Sequence, residues 1–446
     1  MKTFLLIWFG QFISQIGTAL TRFALLLWVY QQNQQAMDVA LFGLFAFLPS
    51  LLLSPLAGVW VDRWDRRKVM LWADAGAGVM TALLLGLLHY DQLQMWHLYV
   101  AQLLAGLFEC FQSPAYAAAT TLLVDKRQYA RINALRSLAQ NGAEVIAPFL
   151  AGLLLLWVGL TAILLIDLAT FGVAVVTLFA VAVPQQKVTA AATRAGASLW
   201  QDLGAGLSYI RVRPGLIGLL VFYMLINFIA ALTFYATLPA LILGRSGGDE
   251  FALAVVQSTL GGTAVVGSLL VGLWGGPRRK IHGVLLGAGC SFLLGDLLFG
   301  VGRTLSHWVV AASFSALSVP LMDSSNMAIL QAKVAPAMQG RFFALFHTAR
   351  QLFVPVGYLL GGWLVDGWLE PALAPAGVLA TSFGWLVGVG PGAGCGLLFI
   401  ATALLGSIVC FGGYLFPALR NLEDDLADHD AEVANTYGNE TLPQMA

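Results

Sequence analysis

The stretch GVWVDRWDRRKVM, Gly58 to Met70, decides how the rest of the chain is read. Six of the seven residues from Asp62 to Lys68 are charged, yet only 10% of the 446-residue chain is charged. Long apolar runs flank the stretch on both sides. A charged turn between two apolar runs is what a hairpin of membrane-spanning helices presents to water.

Working outward, composition supports that reading. The chain is 59% hydrophobic and its mean hydropathy is +0.80. Soluble domains hold about 45–50% apolar and about 25% charged residues, so this chain lacks the charge to cover a water-facing surface. With 23 basic and 23 acidic residues it has no basic face for nucleic acid. The four cysteines make no C-x-x-C pair and read as small apolar residues. No metal ligand set and no cofactor motif is present, and none is expected.

A bilayer core takes roughly 20 apolar residues as a helix. On that length, twelve spans fall near residues 4–30, 39–61, 69–88, 96–123, 132–157, 160–183, 215–243, 251–275, 281–302, 305–330, 341–366 and 394–416. The first is read as a retained span, not a cleaved leader. Eighteen of the 23 Lys and Arg residues fall on the amino-terminal side of the membrane, and only Arg245 and Arg303 lie at opposite junctions. The positive-inside rule then places both termini in the cytoplasm.

Four segments are expected: an N-terminal six-helix half over 1–184, a cytoplasmic linker with an amphipathic helix over 185–213, a second half over 214–420, and an acidic disordered tail over 421–446. Residues 371–394, apolar but broken by Pro and Gly, read as a re-entrant or interfacial loop on the outer face.

The two halves repeat. ARINAL opens the fifth span and GRFFAL the eleventh; Arg131 to Gly152 and Arg341 to Gly362 are each 21 residues. GVWVDRWDRRKV after span two is echoed by GLWGGPRRKI after span eight. The fold class is therefore an all-α polytopic membrane protein, with twelve transmembrane helices as two parallel six-helix repeats.

These residues also carry a resemblance. The pattern G-x-x-x-D-R-x-x-R-R/K, here Gly58, Asp62, Arg63, Arg66 and Arg67 with Lys68 next, resembles the signature turn of the major facilitator superfamily. VDRWDRRKVMLWADA, SPAYAAATTLLV and GRFFAL are similar to the macrolide-efflux type, near the enterobactin-exporter type. APFLAG, with Pro148 and Gly152, is similar to the antiporter motif of export facilitators. Ala147 replaces its first Gly, and Ala105 stands where span four usually carries arginine. The resemblance implies the major facilitator fold, a gating role for the charged turn, and alternating access.

Ionisable side chains inside a bilayer cost roughly 2.5–3.5 kcal/mol on insertion scales, so each needs a reason. Arg22, Glu109, Glu144, Asp323, His347 and Arg350 lie on spans that line the cavity in this family, whereas Asp167 and Asp296 lie on span six and peripheral span nine. Glu109 and Glu144 fall near mid-membrane and are the candidate proton carriers or cation contacts, with Arg22 able to pair with either. Asp323 and Arg350 read as a helix-joining ion pair, with His347 one turn away. Asn227 and the aromatics of span seven, Tyr223 and Tyr235 among them, are candidate pocket residues.

The expected function is secondary active transport: proton-coupled antiport exporting a bulky hydrophobic compound, drug- or macrolide-like. A siderophore, a peptide-like metabolite or a lipid is the alternative cargo, and a transport-inactive receptor or scaffold the alternative class. The expected partners are a small-molecule substrate, protons and the lipid bilayer, with the protein a monomer in the bacterial inner membrane. No H-E-x-x-H, G-x-S-x-G or G-x-x-x-x-G-K-S/T motif supports an enzyme or a nucleotide-driven pump.

Overall fold

A computed structural model describes residues 2–125, 128–181, 207–235, 237–426 and 428. Most of the expected linker and of the tail lie outside the described residues. So do the side chains of Asp62 and Arg63 in the charged turn.

Spans one to four are Lys2–Asn33, Ala36–Arg63, Arg66–His89 and Met95–Leu122. Spans five and six form one continuous stretch, Tyr129–Ala180, parted at Gly159, whose φ of 73° only glycine adopts without strain. Span seven is broken into Pro214–Thr233 and Thr237–Ser246, and span eight is Glu250–Trp274. Span nine (Lys280–Cys290 to Leu297–Val301) passes through a π-helical turn at Ser291–Asp296, and span ten is Leu305–Lys333. Span eleven runs from Pro336–Arg350 through Val354–Leu364 to a π-helical turn at Val365–Leu369, and span twelve is Ala393–Gly412.

Ten of these stretches are long and apolar enough to cross a membrane on length and hydropathy. One of them, Arg131–Ala180, is two spans parted at Gly159, and the 28-residue helix Met95–Leu122 completes twelve. Residues 371–394 do not cross. They form a turn and a short helix, Ala380–Val387, on the face away from the termini. Arg245 holds this segment by donating to the carbonyls of Gly300 and Val387 at 2.9 and 2.8 Å. Arg303 donates to Trp385 at 3.2 Å.

The apolar cores show how the halves meet. On the far face one buried cluster is shared, with Leu25, Val29 and Ala36 from the first half packed with Leu241, Leu253 and Phe299 from the second. On the terminus-bearing face each half keeps its own cluster, around Met70, Ala115 and Leu178 in the first and around Leu216, Val334 and Phe342 in the second. The bundle is closed at the far face and parted at the other.

Each half buries one carboxyl against a threonine between its third and sixth spans. Thr81 of span three donates to Asp167 of span six at 3.0 Å. Thr402 of span twelve donates to Asp296 of span nine at 3.4 Å. Donor and acceptor have exchanged helices between the repeats. This supports the reading of Asp167 and Asp296 as helix-joining groups, since a buried carboxyl needs a donor.

The acidic tail departs from expectation at its start. Residues 421–426 and 428 are not a free extension. Leu422 is fully buried, and Glu423 accepts the Ile281 N–H at 2.9 Å at the start of span nine. Lys333, at the end of span ten and 6% exposed, donates to the Glu423 carbonyl at 2.6 Å and pairs with Asp428 at 2.9 Å. Arg279 pairs with Asp424 at 2.8 Å. The acidic residues that looked like a solvated run are counter-charges for the basic turn GGPRRK, which has no acid of its own. Residues 429–446 lie outside the described residues.

Close helix contact within the second half rests on Gly361. A Cβ there would sit 2.3 Å from the backbone carbonyl oxygen of Leu232. Overpacking of this kind costs about 1–3 kcal/mol. Gly361→Val is expected to lower the yield of monodisperse protein and its melting temperature, read by size-exclusion chromatography after a heating series. A wild-type melting profile would show that spans seven and eleven separate without cost.

Candidate functional site

Three helices of the first half carry polar residues at helical spacing. Span one has Gln11, Ser14, Gln15, Thr18 and Arg22; span four has Glu109, Gln112, Ser113 and Tyr116; span five has Asn133, Arg136, Ser137, Gln140 and Glu144. Steps of three and four keep each set on one face. The three faces meet around a cavity of about 360 Å³, to which span three adds Asp74. Asn133, Ser137, Gln140 and Glu144 are exposed along it, so the cavity is open to solvent.

At its deep end Arg22 Nη2 lies 3.1 Å from Glu109 Oε2. Glu144 stands within electrostatic reach of both. On the second half the rings of Tyr235 and Tyr358 stack 5.2 Å apart. Tyr235 is in electrostatic reach of Glu144, and Tyr358 of Arg22. Thus Arg22, Glu109 and Glu144 are brought together.

The other candidates are not in this cavity. Arg350 Nη1 lies 3.7 Å from Asp323 Oδ1, with its guanidinium 5.7 Å from the centre of the Tyr223 ring. His347 Nε2 is 3.4 Å from the Gln351 amide nitrogen. The Asn227 amide donates to the Tyr223 carbonyl of its own helix at 2.7 Å. Asp323, His347, Arg350 and Asn227 belong to the second half, apart from the Glu109–Glu144 group.

The charged turn is partly built from helix-end contacts. Asp65 caps span three, accepting from the N–H groups of Arg67 and Lys68 at 3.0 and 3.3 Å. Arg67 donates to the carbonyls of Leu178 and Phe179, both at 3.0 Å, at the end of span six. Arg66 reaches the Ala118 carbonyl at 3.4 Å. Cations at helix C-termini are favourable on both charge and hydrogen-bonding grounds. Among the described residues, a Cβ at Gly58 would meet nothing within 4 Å. Asp62 and Arg63 carry the rest of the gating expectation, and their side chains lie outside the described residues.

Gly152 does make a contact between halves. A Cβ on it would come 2.6 Å from Ala254 Cβ on span eight. Pro148 lies inside the helix one turn earlier.

Two further carboxyls have roles that the sequence does not assign. Asp74, an ionisable residue of span three to which the sequence assigns no role, lines the cavity, 1% exposed, and accepts from Gln11 Nε2 at 2.9 Å and from Gln112. Asp366, at the far end of span eleven, accepts the Ala36 and Met37 N–H groups of span two at 3.0 and 2.7 Å. The amide-rich stripes were a signal for the first. Nothing local marks the second.

Comparison with known proteins agrees with this architecture. The chain is 27% identical over 368 residues to macrolide efflux protein A of Streptococcus pyogenes, covering 81% of this chain and 89% of that protein. It is 27% identical over 320 residues to macrolide efflux protein A of Enterococcus faecalis, covering 71% and 97%. Among solved structures, the nucleoside transporter NupG superposes with a TM-score of 0.69 at 12% identity, over 92% of this chain and 98% of that one. A bacterial homologue of the lysosomal transporter Spinster, in an inward-facing and unoccupied conformation, gives 0.66 at 14% identity over 95% and 98%. At these identities the structural likeness speaks for the fold alone. The family model of the Major Facilitator Superfamily matches residues 7–358, and the chain belongs to that superfamily of membrane transporters.

Proposed function

We propose that the chain is a proton-coupled antiporter that exports a bulky, basic, partly hydrophobic compound, with the terminus-bearing face in the cytoplasm. The observation that carries this is Glu144, a carboxyl with no hydrogen-bonded partner among the described residues, facing a solvent-open polar cavity beside the Arg22–Glu109 pair. The likeness to macrolide efflux proteins supports a substrate of that kind.

Exchange follows if Glu144 holds either a proton or the cationic nitrogen of the substrate, and not both. Arg22, in reach of both carboxylates, shifts toward whichever is ionised. One proton for one monovalent cation is electroneutral, so only the pH gradient drives it. Two protons per cation move one net charge, worth roughly 2.3 kcal/mol per 100 mV, which sustains about a 50-fold gradient. Alternating access comes from rocking the halves about the cavity.

The test is accumulation of a panel of macrolides and cationic dyes in an efflux-deficient host expressing the protein, with and without an uncoupler. Lower accumulation that the uncoupler reverses is expected. If no compound's accumulation changes, the export reading is lost. If efflux ignores the uncoupler, proton coupling is lost.

A further inference from the structure

The cavity holds polar atoms that nothing among the described residues satisfies, and they lie toward the open end, away from Glu144. Tyr116 is 6% exposed, and its hydroxyl has no hydrogen-bond partner. Arg136 Nε and Gln15 Oε1 are also buried and unpartnered. The Arg136 guanidinium lies 5.2 Å from the centre of the Tyr116 ring. Arg22 has Glu109, but among the described residues Arg136 is paired with no carboxylate. A shielded guanidinium N–H and a buried hydroxyl without acceptors are expensive inside a membrane. Two unmet donors side by side in an open cavity are complementary to an acceptor brought by an occupant.

We infer that Arg136 and Tyr116 form a second recognition point, which takes an acceptor oxygen of the substrate while its basic nitrogen lies at Glu144. This rests on the proposed export function and names its substrate class. Both Arg136 and Glu144 are on span five, eight residues apart, which is about 12 Å along the helix axis. The preferred cargo is therefore a compound with a basic nitrogen at one end and oxygen acceptors roughly that far away. A compact lipophilic cation engages only the Glu144 end.

The experiment measures binding to the purified full-length protein with two probes. Erythromycin carries a basic amino sugar on an oxygen-rich ring; tetraphenylphosphonium is a cation with no hydrogen-bonding group. Tyr116→Phe and Arg136→Gln are expected to weaken erythromycin about threefold to tenfold and about tenfold to 100-fold, matching neutral and charged hydrogen bonds. Tetraphenylphosphonium affinity should stay within about twofold. Because the Tyr116 hydroxyl has no partner in the empty protein, Tyr116→Phe should leave the melting temperature of the unliganded protein unchanged or raised. A fall in that temperature assigns Tyr116 a structural role and overturns the inference. Unchanged erythromycin affinity in both variants overturns it, as does equal weakening of both probes. If the wild-type protein binds neither probe, the export reading falls with it. If it binds both and the variants are silent, only the second recognition point falls.

Discussion

A Glu144→Gln variant is expected to reach the membrane at the wild-type level and to lose at least about tenfold of its substrate efflux. The glutamine keeps the shape and a hydrogen-bonding oxygen, but it cannot take up a proton or balance a cation. Hydrogen bonds to charged groups contribute about 1.5–3 kcal/mol, which is roughly tenfold to 150-fold in an equilibrium constant. Folding should be little affected, because Glu144 makes no hydrogen bond among the described residues and faces an open cavity. Residual transport should lose its dependence on the pH gradient. Glu109→Gln should behave differently, since it strips Arg22 of the partner 3.1 Å away and costs stability as well as transport. The measurement is efflux in membrane vesicles at imposed pH gradients, normalised to protein in the membrane. Wild-type efflux by Glu144→Gln would remove this carboxyl from the coupling step.

Asp366→Ala should open the far face. Span two begins after Gln35, whose side chain makes no cap. Its first N–H groups, at Ala36 and Met37, instead donate to Asp366 of the other half. Helix N-termini always need such acceptors. Losing a charged acceptor costs about 1.5–3 kcal/mol and shifts the equilibrium between states roughly tenfold to 150-fold away from far-face closure. Asp366→Asn keeps one carbonyl acceptor and should shift it less. Spin labels at Gln32 and Ala376, in a background without native cysteines, would read the change as a longer distance population. A distribution identical to wild type would show that Asp366 is no latch.

The spans were legible because apolar runs of bilayer length can scarcely be anything else. The repeat was legible because Arg-to-Gly spacing and a basic turn recur. Glu109 and Glu144 were legible because a carboxyl in mid-membrane demands a reason. Asp74 was not, because its place on span three hid the two amides, Gln11 and Gln112, that bring it to the cavity wall. Asp366 was not, because its partners lie about 330 residues away and are backbone atoms, which no side-chain pattern records. The start of the tail misled for a related reason. Acidic residues in a row look solvated until the basic turn they meet, Arg279 above all, is placed beside them.

That docking bears on how the protein is made. Synthesis runs from the amino terminus, so residues 422–428 emerge after every span. Until they arrive, Lys333 has neither the Glu423 carbonyl nor Asp428 to meet it, and the start of span nine lacks the Glu423 carboxylate. The second half is thus completed by a piece of chain that leaves the ribosome only after span twelve. A product cut short after span twelve would carry every membrane segment and still expose an unfinished basic surface, the kind of defect by which quality control tells a complete protein from a fragment.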